Sequence, residues 1–175
     1  YSAIKSGDDF LVDYIMKNLH YFNESTDYLN IYLSLVTTNS TSMFELITSK
    51  YRLEQSQKFL DVSQYLTIIC KACEYSAYGF VRIFTNFLLS IDKVASFTKP
   101  FKMALSSKSS HICDFLIHKN INLDLIEISS DPNLIQLDNG KFVLLLFEAA
   151  DKYLQLPLFN SLLYNFISSP LNKHQ

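Results

Sequence analysis

Glycine and proline are scarce in this chain, with three and four among 175 residues. An all-β fold needs many turn residues, so the scarcity argues against one and for helices joined by polar loops. Cysteine is equally sparse. Cys70, Cys73 and Cys113 are an odd number and do not suggest a disulfide framework. A reducing compartment follows as the expectation, hence an intracellular site, cytoplasmic or nuclear. Long apolar runs are missing too. The longest, Phe142 to Phe147, is far short of a membrane span, and no signal peptide is visible. No excess of one charge exists either: 15 basic and 17 acidic residues are spread along the length for a net charge of −2. No basic stretch is dense enough for phosphate-backbone binding, so neither nucleic acid nor membrane is expected as a partner.

What is present is a chain with 49% hydrophobic and 18% charged residues, a globular and not a disordered composition. Its length suits one ordinary domain with a sizeable core. The first residue is Tyr1, not Met, so the sequence reads as a piece of a longer chain, with one or more repeats expected before Ala3.

A pattern recurs along it. Ala3 is followed by a turn at Gly7 and then by Leu11, Val12, Ile15 and Met16, at offsets of 8, 9, 12 and 13 residues. Those offsets share one face of a helix. Anchored on Leu35, the template places Asn39 at the turn and Met43, Phe44, Ile47 and Thr48 on the second helix. Anchored on Ala72 it gives Ser76, then Phe80, Val81, Phe84 and Thr85. Anchored on Ala104 it gives Lys108, then Ile112, Cys113, Leu116 and Ile117. Anchored on Ala150 it gives Leu154, then Leu158, Phe159, Leu162 and Leu163. One helical turn before the last four anchors stand Tyr32, Ile69, Phe101 and Phe147. A lone amphipathic hairpin cannot bury its stripe, whereas stacked hairpins share a continuous core.

This template resembles the ankyrin repeat, which reads Pro-Leu-His-x-Ala-Ala-x-x-Gly, then apolar pairs, then Gly-Ala-Asp-x-Asn. The fourth copy carries the likeness furthest. Pro100-Phe101-Lys102-Met103-Ala104 stands for the first motif and Asn120-Ile121-Asn122-Leu123-Asp124 for the last. Proline suits a first helical turn, and asparagine tolerates the left-handed conformation that ends a helix. Most copies lack the full signature, and most turn glycines are replaced. The resemblance implies an all-α, short α-solenoid of about five degenerate helix-hairpin repeats near 1–20, 28–51, 65–90, 99–124 and 138–167. They form one domain over 1–170, with 171–175 as a frayed tail. A rival likeness covers the C-terminal end. Phe142 to Ile167, including Phe147-Glu148-Ala149-Ala150-Asp151-Lys152-Tyr153, resembles the last helix pair of a BTB or Skp1-type domain. No strand–helix order for that fold is found upstream.

Between the copies, Asn23 to Asp27 reads as a polar loop with N-capping residues, and Arg52 to Gln64 as a polar stretch ending in a loop. Ser129 to Asn133 is the clearest loop, inside an insertion over 123–137 that could form an extended hairpin.

Catalytic constellations are not found. Cys70 and Cys73 make one C-x-x-C pair, but a structural zinc needs four ligands, and both cysteines fall on a predicted helix where packing explains them. His111 and His118 lie on one helix face without a nucleophile. There is no Gly-x-Ser-x-Gly elbow and no phosphate-binding glycine loop. The chain is therefore expected not to be an enzyme and to use no cofactor, metal or small-molecule substrate. The ankyrin resemblance implies protein–protein interaction on a concave face made of turn tips and first helices. Carried through the template, that face comprises Lys5, Thr37, Thr38, Glu74, Tyr75, Ser106, Ser107 and Lys152, which follow the anchors by one to three residues. Tyr75 and Tyr78 flank the inner turn of the third copy and lie off the core positions, as interface tyrosines often do. Alternatives are an architectural helical segment of a larger protein, or an adaptor docking a partner through residues 138–170.

Overall fold

The computed structural model describes residues 27–40, 60–119 and 121–124 continuously, and residues 4, 6–8, 10, 14, 42, 44, 45, 127, 128, 144, 148, 160 and 164 singly. Five helices run unbroken among them: α1 (Tyr28–Thr38), α2 (Val62–Glu74), α3 (Tyr78–Ile91), α4 (Thr98–Ser106) and α5 (Ser110–His118). No strand is present among the described residues. The chain divides into two compact units, Tyr1–Asp92 and Lys93–Gln175.

In the first unit α1 packs on α2, and α2 on α3. Each helix buries a stripe at helical spacing. On α1 it is Tyr28, Tyr32, Leu35 and Val36; on α2, Tyr65, Ile68, Ile69, Ala72 and Cys73. On α3 it is Phe80, Val81, Phe84, Thr85 and Leu88. Aromatic rings fill the space between. Tyr32 meets Phe84 edge-on with centroids 5.0 Å apart, and Phe44 meets Phe80 at 5.1 Å and Phe84 at 5.6 Å. Edge-to-face pairs set the positive ring rim against a negative face, which favours these angles over sandwiches.

Local signals fix the helix starts. Asp27 caps α1 by accepting the Asn30 amide at 3.1 Å, inside the polar loop read from the sequence. Asp61 and Gln64 form a reciprocal capping box on α2: Asp61 Oδ1 accepts the Gln64 amide at 2.8 Å, and Gln64 Oε1 accepts the Asp61 amide at 2.9 Å. This corrects the reading of Arg52 to Gln64 as loop at its end, because Val62, Ser63 and Gln64 are the first turn of α2.

In the second unit α4 packs against α5, burying Phe101, Ala104 and Leu105 against a stripe of Ile112, Cys113, Leu116 and Ile117. Pro100 lies in the first turn of α4, where its missing N–H leaves no partner wanting. After α5 the chain returns to the start of α4. Ser96 and Asn122 form an isolated parallel bridge, the Phe97 amide donates to the Asn122 carbonyl at 2.9 Å, and the Asp124 amide donates to Thr98 Oγ1 at 2.8 Å. Asp124 in turn accepts the Glu127 amide at 2.9 Å, and Glu127 and Ile128 are helical. An extended hairpin over 123–137 is therefore corrected at these two positions. The carboxylate of Asp124 starts a helical turn there.

No helix among the described residues is long and apolar enough to cross a membrane.

Candidate functional site

The template turns have one shared geometry. Gly7, Asn39, Ser76 and Lys108 hold φ of +70°, +50°, +55° and +56°, and they are the positive-φ positions among the described residues. At each, the amide donates to the carbonyl three residues back: Ile4 at 3.1 Å, Val36 at 3.1 Å, Cys73 at 3.1 Å and Leu105 at 2.9 Å. In the last two turns the next amide reaches the anchor itself, Ala77 to Ala72 at 2.8 Å and Ser109 to Ala104 at 3.0 Å. That pair of bonds is a Schellman ending, in which a left-handed residue lets the chain satisfy the last helical carbonyls. An inverse γ-turn follows, with Tyr78 donating to the Ser76 carbonyl at 3.0 Å and Ser110 to the Lys108 carbonyl at 3.2 Å. A Cβ at Gly7 would meet nothing within 4 Å, so glycine there serves conformation alone.

The anchors Leu35, Ala72 and Ala104 are fully buried, and so are their second-helix partners on α3 and α5. The template positions Ala3, Leu11 and Met43 and the whole fifth-copy core lie outside the described residues. The same is true of Asn120, of the Ser129 to Asn133 loop, and of nearly all of the BTB/Skp1-like end.

Two residues stand immediately before the left-handed position of each turn in the sequence. Of the eight recognition residues expected from sequence, Lys5 and Lys152 fall outside the described residues. Thr37, Glu74, Tyr75 and Ser106 are exposed; Thr38 and Ser107 are half-buried. Their chemistry differs. Thr37 Oγ1 donates to the Ser34 carbonyl at 2.9 Å, Thr38 Oγ1 to Leu35 at 2.9 Å, Ser106 Oγ to Lys102 at 2.9 Å and Ser107 Oγ to Ala104 at 3.1 Å. A hydroxyl has one proton, so these four keep only acceptor lone pairs. Glu74 and Tyr75 carry the stronger groups. Lys71, one turn earlier on α2, joins them: its Nζ lies 2.9 Å from Glu74 Oε2 and 4.8 Å from the centre of the Tyr75 ring. The hydrogen bond to Glu74 raises the Lys71 pKa. Tyr78, at the start of α3, is exposed beside them in sequence. Lys71 was missed by the template, which counts forward from each anchor. Its spacing from Glu74 and Tyr75, three and four residues on a helix, was the available signal.

The remaining chemistry-bearing groups have structural settings. Cys73 and Cys113 are buried, and burial pushes the Cys113 thiol up to about 12. A thiol held protonated is a poor nucleophile and ligand. His118 sits on the exposed face of α5 with its Nδ1 3.2 Å from Asp114 Oδ1. No group of three or more His, Cys, Asp or Glu among the described residues could hold a metal ion. Comparison with family models, with curated proteins and with solved structures finds no match.

Proposed function

We propose that this chain is a non-catalytic protein-recognition module: a short α-solenoid of ankyrin-like hairpins that binds a partner protein along its turn-side surface. The observation that carries the reading is the recurrence of one device, helix then left-handed residue then helix, at Gly7, Asn39, Ser76 and Lys108. A repeated turn repeats the direction in which its preceding side chains project, which is how solenoids build extended binding faces. Exposed tyrosine next to charge, as at Glu74, Tyr75 and Tyr78, is the composition that anchors interfaces.

The test is affinity capture from a native lysate with wild type, a Glu74→Ala/Tyr75→Ala variant and an Arg82→Ala/Asn86→Ala variant on the exposed side of α3. A partner held by wild type and by the α3 variant but lost by the turn variant supports the reading. Equal capture by all three overturns it.

A second reading, an architectural segment covered by the rest of a larger protein, draws on Phe10 and Tyr14. They lie one turn apart at helical positions and are 81% and 60% exposed. A stable, monomeric chain in isolation would count against that role.

A further inference from the structure

We propose that the α2–α3 turn recognises a cationic side chain of the partner, arginine above all, where the Glu74 carboxylate and the Tyr75 ring converge. Lys71 is the internal occupant that an incoming arginine displaces. This deepens the recognition role proposed above and rests on it for the partner being a protein.

The geometry defines a point for a cation. One nitrogen, Lys71 Nζ, stands 2.9 Å from a carboxylate oxygen and 4.8 Å from an aromatic centre. A carboxylate supplies charge and directed acceptors, and a ring face supplies its negative quadrupole. Both groups are carried by a fixed backbone. Glu74 closes α2, and Tyr75 is its C-cap at φ −91°, ψ 7°, pinned on its C-terminal side by the Ser76 and Ala77 bonds back to Cys73 and Ala72. The present occupant is weakly held: the Lys71 and Glu74 side chains are 33% and 45% exposed, and exposed pairs contribute little. An ammonium is a compact point charge. A guanidinium is planar, so it can stack on the ring while forking onto the carboxylate. Arginine therefore uses both walls at once. The corresponding turn of the second unit has no such pair. Ser106 and Ser107 stand there, each hydroxyl bonded to its own helix, so cation recognition is a property of the α2–α3 turn.

The experiment titrates the tripeptide acetyl-Gly-Arg-Gly-amide into the 15N-labelled chain and follows the amides of Glu74, Tyr75 and Ser76. The same peptide with uncharged citrulline is the control. Saturable shifts with arginine and none with citrulline are expected. Lys71→Ala, which empties the point, should bind arginine about fivefold tighter. Glu74→Gln, nearly isosteric, should abolish binding while the rest of the spectrum reports an intact fold. Equal response to both peptides, or no tightening in Lys71→Ala, overturns the proposal. Arginine-selective binding combined with undiminished partner capture by Glu74→Ala/Tyr75→Ala would overturn the recognition role and leave the cation site standing. The opposite pattern overturns the cation site alone.

Discussion

The carbonyl of Ala104 accepts the amide of Ser109 at 3.0 Å, across a turn that packs the first helix of its hairpin onto the second. Ala104 is fully buried at that crossing. Ala104→Asp would place an unpaired carboxylate there. A loss on the order of 3 kcal/mol or more is expected, seen as unfolding in a thermal melt followed by circular dichroism. An unchanged melt would mean that the repeat register is misplaced.

Ser76 and Lys108 adopt a left-handed conformation with ordinary side chains. For an L-residue that conformation costs about 1–2 kcal/mol, and glycine escapes it at some expense in unfolded-state entropy. Ser76→Gly and Lys108→Gly should each stabilise the chain by about 0.5–1 kcal/mol. Arg82→Gly, in the middle of α3, should destabilise it by about as much. Urea melts of the three variants decide the matter, since opposite signs are required.

Thr85 offers a further stability test. Its side chain lies in the core stripe of α3, and Oγ1 has no hydrogen-bond partner among the described residues. Replacing the hydroxyl by a methyl of the same shape removes a buried orphan. Thr85→Val should raise stability by about 1 kcal/mol, or a melting temperature by about 2–4 °C. A lower melting temperature would mean that the hydroxyl is satisfied after all.

Cys113 sets a pH dependence. Its folded pKa is pushed up to about 12 by burial, from an ordinary value of 9.0. Between those values the unfolded chain releases the thiol proton and the folded chain keeps it, so unfolding is favoured as pH rises. The contribution of Cys113 is fully present below about pH 9 and is lost progressively towards pH 12. From pH 8 to 11 the urea midpoint of wild type should fall relative to that of Cys113→Val, which has no thiol to titrate. Iodoacetamide at pH 8 should label half-buried Cys70 in the native state and spare Cys113.

The offsets that placed Asn39, Ser76 and Lys108 at turns needed only the period of an α-helix and one buried anchor per hairpin, Leu35, Ala72 or Ala104. None of the three is glycine, yet all adopt the backbone that glycine favours. The apolar spacing on either side leaves the chain no other place to reverse. The start of α2 was legible in principle as well, because Asp61 and Gln64 carry the capping-box spacing, but the polar run before them reads as loop when hydropathy alone is followed. The Asp124 cap was hidden for a similar reason. Its consequence, the helical Glu127 and Ile128, follows from two local hydrogen bonds to Asp124 and not from a periodic pattern.

Sequence by itself determined the helical class, the hairpin turns and the buried face of each described helix, because helical periodicity and burial are local properties repeated many times. Only the tertiary structure decided which polar side chains near those turns are spent on their own helix and which are not. Thr37, Thr38, Ser106 and Ser107 look like Glu74 and Tyr75 in the template, but a hydroxyl one turn from a helical carbonyl closes on it, whereas a carboxylate cannot donate and a tyrosine ring cannot reach. Lys71 became part of the site for the complementary reason: a four-carbon stem lets its ammonium settle where an acceptor and a ring face meet.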